Sequence, residues 1–183
     1  MSLFGNLFGS KKEEEPNPFG RTPADLDQGF IFEYDLQSWE VMAVYEYDWG
    51  DENFSKEFKV SDGTNTYFLS VEDDDQLEMT WSQKISLNAI EGRIASQIEE
   101  NERPPESLVY EGKTFYLEEE SAGYFHEKGS GEEAWTEFMV WDYFDKKEET
   151  SLSIEQWGPR SFEASYGKVL KNHEISDILP RQQ

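Results

Sequence analysis

The chain contains no cysteine among its 183 residues. That excludes disulfides, thiolate metal sites and cysteine nucleophiles together. Histidine is nearly absent as well, with only His126 and His173. Neither lies near a Gly-x-Ser-x-Gly elbow or a closely spaced set of nitrogen ligands, so hydrolase triads and zinc centres have little to be built from. No glycine-rich segment leads from a strand into a helix, which removes the usual phosphate-cradling loop. Basic residues are scarce: 16 Lys and Arg against 40 Asp and Glu give a formal net charge of -24. Such a field repels nucleic-acid backbones and anionic membrane surfaces, and it attracts basic proteins, polyamines and divalent cations. No apolar run is long enough for a membrane-spanning helix. The start, Met1 to Phe8, lacks the basic region and long apolar core of a signal peptide, so a cytoplasmic location is expected.

Aromatic residues are plentiful, with 13 Phe, 9 Tyr and 6 Trp. Large rings supply much apolar burial per residue, which suits short strands in small barrels. From Phe30 the apolar period is two. Trp39, Val41, Ala43, Tyr45, Tyr47 and Trp49 alternate with Glu40, Met42, Val44, Glu46 and Asp48, the pattern of a long half-buried strand. Strands are also expected over 54–61, from Tyr67 to Val71, and then over 114–119, 124–127, 134–143, 151–157, 161–166 and 174–178. Asp62-Gly63 and Gly129-Ser130-Gly131 supply turn chemistry between them.

One pattern occurs twice. Glu57-Phe58-Lys59-Val60-Ser61-Asp62 with Leu69-Ser70-Val71-Glu72 is echoed by Glu137-Phe138-Met139-Val140-Trp141-Asp142 with Leu152-Ser153-Ile154-Glu155. Upstream, Leu26-x-x-Gly29-x-x-Phe32 matches Val109-x-x-Gly112-x-x-Phe115. The spacing between copies is the same at Gly29/Gly112 and Leu69/Leu152 and slightly shorter at Phe58/Phe138, a difference that loops absorb. The expected fold is therefore mainly β: two similar small antiparallel barrel or meander modules, an internal duplication, with one connecting α-helix. The expected organisation is a polar, Pro-punctuated leader over 1–24 that cannot order itself, a first module over 25–80 and a connecting segment over 81–106. A second module follows over 107–179, and 180–183 form a tail. Within the leader, Leu3, Phe4, Leu7 and Phe8 share one helical face, with Lys11 and Lys12 beyond. That would make a small peripheral foot for a membrane interface or a partner groove. The connecting helix is expected over about 88–102, because Ile90, Ile94 and Ile98 recur every four residues, Asn88 and Glu91 have capping-box spacing, and Pro104-Pro105 stop it.

Carboxylates are so abundant that an acidic pair carries little information. Glu72-Asp73-Asp74-Asp75 and Glu118-Glu119-Glu120 offer hard oxygens, but neither matches the spacing of a calcium loop, and no metal site is expected. No catalytic residue is assigned. The repeated glutamates Glu57/Glu137 and Glu72/Glu155 read as structural. The candidate binding surface is aromatic. Trp135, Met139, Trp141 and Tyr143 share one face of a strand whose other face carries Phe138 and Val140, so the strand is buried on both sides or meets something else. Trp49, at the end of the first long strand, is a further candidate.

The run Gly29…Trp39-Glu40-Val41…Tyr45-Glu46-Tyr47…Glu57-Phe58…Leu69-Ser70-Val71-Glu72 resembles a bacterial family of uncharacterised members, domain of unknown function 4178. So does the later Tyr110-Glu111-Gly112-Lys113-Thr114-Phe115-Tyr116…Leu152-Ser153-Ile154-Glu155-Gln156-Trp157. The resemblance spans about residues 25 to 178 and implies no activity, cofactor or catalytic residue. The residues themselves point to a non-enzymatic, acidic interaction module for a basic protein or polyamine. The alternatives are a carboxylate enzyme acting on a cationic or sugar-like substrate and an inhibitor that mimics nucleic acid. Convergence of carboxylates with perturbed pKa values in one pocket would favour the enzyme.

Overall fold

The computed structural model describes residues 20–74, 76–131 and 135–180. The leader's apolar foot therefore lies outside the described residues. Of its last five, Pro23 is buried in a single 3-10 turn, Pro23–Asp25, and Leu26 just beyond it is buried in the first core.

Eleven strands form one antiparallel sheet. A first meander runs through β1 (Ile31–Tyr34), β2 (Gln37–Gly50), β3 (Asn53–Ser61), β4 (Thr66–Asp73) and β5 (Leu77–Ile85). A second runs through β6 (Ser107–Tyr110), β7 (Lys113–Glu127), β8 (Thr136–Phe144), β9 (Thr150–Gly158) and β10 (Ser161–Leu170). β5 pairs with β10 and β2 with β7, so the strands β2-β3-β4-β5-β10-β9-β8-β7 return on themselves as a ring. The last strand, β11 (Ile175–Leu179), adds to β1. The two meanders are thus parts of one continuous sheet, joined at β5–β10 and at β2–β7.

Each half encloses its own apolar core. The first contains Phe32, Trp39, Val41, Val44, Phe58, Val60, Leu69, Val71, Met79 and Trp81. The second contains Leu108, Phe115, Trp141, Tyr143, Leu152, Ile154 and Ala164, closed by Ile90, Ile94 and Ile98. Burying a Phe58 or a Leu152, each 0% exposed, contributes about 2 kcal/mol per side chain. A third, smaller cluster between the halves holds Tyr47, Phe138 and Val140 with Tyr45, Trp49, Phe125 and Trp157 packed against it.

Two bulges create this third cluster. In β2 the register slips between Val41 and Ala43, and the extra residue inverts the side-chain phase. Trp39, Val41 and Val44 consequently face the first core, whereas Tyr45, Tyr47 and Trp49 face the seam. The expected single apolar face from Trp39 to Trp49 is thus divided, and Val44 is buried in place of Ala43. In β7 the slip lies between Leu117 and Glu119. Phe115 and Leu117 face the second core, and Phe125 faces the seam. Each long strand serves two cores by changing face once.

The strand order of the two meanders recurs, and Leu69 and Val71 on β4 match Leu152 and Ile154 on β9, each pair buried in the core of its own half, but the motif residues upstream do not occupy equivalent places. Phe58 and Phe138 lie on the corresponding strands β3 and β8, yet Phe58 points into the first core and Phe138 into the seam. Phe32 and Phe115 lie on β1 and β7, which are different positions in the meander. The residue-level match therefore carries into the structure at β4 and β9 and not at the phenylalanines upstream of them.

Other expectations also need correction. The expected strands 114–119 and 124–127 are one, β7. β5, with buried Met79 and Trp81, lies where the first module was expected to end. The helix is shorter than its isoleucine stripe: α1 (Ile94–Asn101) starts after Gly92 and Arg93, both at positive φ, and Asn88 belongs to a separate 3-10 turn capped by Ser86. Ile90, Ile94 and Ile98 are each 2% exposed as their spacing implied, although Ile90 reaches the core from the turn.

Candidate functional site

Inside the ring, the seam between the halves is polar at its centre. From β3 and β4 it receives Ser55, Glu57 and Ser70, and from β5 Thr80 and Ser82. From β8, β9 and β10 it receives Val140, Asp142, Ser151, Ser153, Glu155 and Ser165. Tyr47, Trp49 and Phe138 form an aromatic wall. Together these residues surround a partly open cavity of about 90 Å³, room for several waters or a group of a few non-hydrogen atoms. The small hydroxyl residues leave this space, and most alternate with core residues along their strands: Ser70 between Leu69 and Val71, Ser153 between Leu152 and Ile154.

The carboxylates of the seam are held by named donors. Glu57 accepts hydrogen bonds from the Tyr47 hydroxyl at 3.3 Å and the Ser70 hydroxyl at 3.0 Å. Burial raises its pKa, and Glu155 adds to this against the opposing pull of Lys84. Asp142, 8% exposed, accepts from the Ser153 hydroxyl. Burial, with the Glu119, Glu155 and Glu72 carboxylates, pushes its pKa up to about 7. Glu155 pairs with Lys84 at 3.1 Å and accepts from Trp157 Nε1 at 3.3 Å. Lys84 also reaches Glu163 at 2.9 Å. Burial opposes the charge on Lys84, but Glu155 and Glu57 outweigh it and hold its pKa above the usual lysine range.

A second carboxylate layer lies along the strands. Glu72 faces Glu78 across β4 and β5, and Glu119 faces Asp142 across β7 and β8. Burial, then Glu72, Asp74 and Glu119, push Glu78 up to about 7. Opposed like charges of this kind favour protonation over paired ionisation. Among the described residues, no group of three or more His, Asp or Glu side chains has an arrangement able to hold a metal ion.

The candidates of the sequence divide between core, seam and surface. Trp141 and Tyr143 are 1% and 0% exposed in the second core, with Met139 packed beside them. From Val140 to Phe144, β8 is buried on both faces. Trp135, just before that strand, is 42% exposed. Trp49 packs in the seam cluster and donates Nε1–H to Ser55 Oγ at 2.9 Å. Of the paired glutamates, Glu57 and Glu155 line the cavity, Glu72 is buried, and Glu137 is exposed. Sequence reasoning passed over the seam serines, Asp142 and Lys84. The signal was present as a run of small hydroxyl residues alternating with apolar ones in β4, β5, β9 and β10, a pattern indistinguishable from an exposed strand face.

No helix among the described residues is long and apolar enough to cross a membrane. The chain is 26% identical over 182 residues to an uncharacterized protein of Aquifex aeolicus (strain VF5), covering 96% of this chain and 95% of that one. No solved structure matches it. Residues 27–172, which include the whole of both meanders, match Domain of unknown function (DUF4178), and the chain belongs to that family.

Proposed function

We propose that the chain is a non-enzymatic binding module whose seam cavity takes a small ammonium group, such as the end of a polyamine. One observation carries this reading: three carboxylates, Glu57, Asp142 and Glu155, converge on a cavity walled by Tyr47, Trp49 and Phe138, and Lys84 pairs with Glu155. Aromatic faces and carboxylates together attract a desolvated cation. The seam hydroxyls add acceptors for ammonium hydrogens. An entering cation would displace the proton that Asp142 holds near neutrality, so binding should release protons.

Calorimetric titration with putrescine and spermidine, against sodium chloride at matched ionic strength, tests this reading. Binding with proton release is expected, weakened about tenfold or more in Glu57→Gln, given that charge-assisted contacts contribute roughly 1.5 kcal/mol or more. Equal responses of the parent and Glu57→Gln would remove the cavity from consideration.

A second reading has one observation in its favour. Asp142, with a pKa near 7 in the same cavity as Glu155, resembles the acid of a carboxylate pair acting on a sugar-like substrate. Against it stands the size of the space, about 90 Å³, where substrate pockets run to several hundred. Turnover of any glycoside in a panel, abolished by Asp142→Asn, would establish the enzyme in place of the binding module.

A further inference from the structure

The outer face of the β2–β7 pairing carries a feature independent of the seam. Three aromatic side chains are well exposed there: Phe54 at 57%, Tyr124 at 48% and Trp135 at 42%. Register places Phe54 beside Asp48, Asp48 beside Tyr124, and Tyr124 beside Glu137, one row across β3, β2, β7 and β8. The next row sets Lys56 beside Glu46 and Glu46 beside His126. The His126 ring lies 5.2 Å from that of Trp135, and its Nδ1 lies 3.3 Å from Glu46. Adjacent strands stand about 4.8 Å apart, so aromatic and acidic side chains alternate at near-contact spacing along the first row.

We propose that this face docks a Lys- and Arg-rich peptide segment of a partner protein. A guanidinium or ammonium laid on the Phe54 or Tyr124 ring would have Asp48 or Glu137 beside it, which combines the cation–π and charge-assisted contacts that Arg favours. Lys56, in the second row, donates its ammonium to the Ala24 carbonyl at 3.2 Å. Charge chooses the occupant. A second copy of a chain at -24 would be repelled, as would nucleic acid or an anionic bilayer, whereas a basic segment would be steered in.

The test is titration of the full chain with a fluorescent Arg-Ser repeat peptide, with a Glu-Ser repeat as control, read by anisotropy. Two double variants probe the patch, Tyr124→Ser with Trp135→Ser and Asp48→Asn with Glu137→Gln. A third, Glu99→Gln with Glu100→Gln on α1, removes equal charge elsewhere. Each patch pair should weaken binding about tenfold, as central aromatic and charged contacts do, with the melting temperature and circular dichroism unchanged. The α1 pair should change it less than about twofold. An equal loss for the α1 pair would reduce the attraction to diffuse charge and overturn the proposal. Failure of the Arg-Ser peptide to bind would also overturn it, as would a homodimer in sedimentation that the Tyr124/Trp135 variant dissolves.

Discussion

Asp142 couples the seam to pH. Its folded-state pKa of about 7 lies above its ordinary value of 3.8, so the native state holds the proton more tightly than the unfolded chain. The resulting stability is fully present below about pH 4 and is lost as pH rises through about 7, at up to roughly 1.4 kcal/mol per pH unit. Glu78, raised in the same direction to about 7, adds to the fall over the same window. Asp27, Asp62, Asp145 and Glu174 have lowered values, so their contribution is lost only in stronger acid. Stability should therefore peak on the acidic side of neutral and decline between about pH 4 and 7, followed by urea denaturation at each pH. Asp142→Asn keeps an oxygen to accept from Ser153 and should flatten that decline, with a gain of about 1–2 kcal/mol at pH 8. A slope unchanged in the variant would show that Asp142 is not the group responsible.

Two strands close the ring, and each meets its partner at a glycine without room for a methyl group. A Cβ on Gly123 of β7 would stand 2.7 Å from the Trp49 ring and 3.2 Å from the Asp48 carbonyl. One on Gly167 of β10 would stand 2.8 Å from Thr80 Cγ2 and 3.0 Å from both Ser151 Oγ and Ser82 Cβ. Both lie in extended backbone, so the requirement is space and not a left-handed φ. Gly123→Ala and Gly167→Ala should each cost about 1–3 kcal/mol, as overpacking does, measured by chemical denaturation. Gly123→Ala should in addition shift the Trp fluorescence by displacing Trp49 from Tyr47 and Phe138. Wild-type stability in both would mean that the seam is looser than its contacts indicate.

Across the whole molecule, the charge of -24 makes self-repulsion a property of the folded state. The described ion pairs are few against forty acids, and most are exposed, like Lys128–Asp27 at 2.8 Å. Exposed pairs contribute little, so screening should relieve more repulsion than it removes attraction. The melting temperature should rise between low and moderate sodium chloride, as charges separated by more than about 10 Å are screened at 0.1 M. At equal ionic strength spermidine should raise it further, since a cation that binds the native state stabilises by mass action. A melting curve indifferent to salt would show that the acids are already well dispersed.

Period-two alternation and turn glycines made the mainly β class and most strands legible, because side-chain direction in a strand depends on local geometry alone. The spacing of Ile90, Ile94 and Ile98 likewise foretold three buried positions. What local pattern could not express was which face meets which neighbour. A bulge near Met42 costs one residue in the sequence and no change of composition, yet it sends Trp39 and Val41 to one core and Tyr47 and Trp49 to another. Trp141 and Trp135 likewise share one parity in the sequence, yet Trp141 is buried in β8 and Trp135, just before that strand, is exposed. The cavity exists because β5 pairs with β10 and β2 with β7, long-range contacts that bring Glu57 and Asp142 together from distant positions. Amphipathic periodicity determined that this chain would form strands; ring closure, set by non-local hydrogen bonds and two changes of side-chain phase, decided where its polar residues became a site.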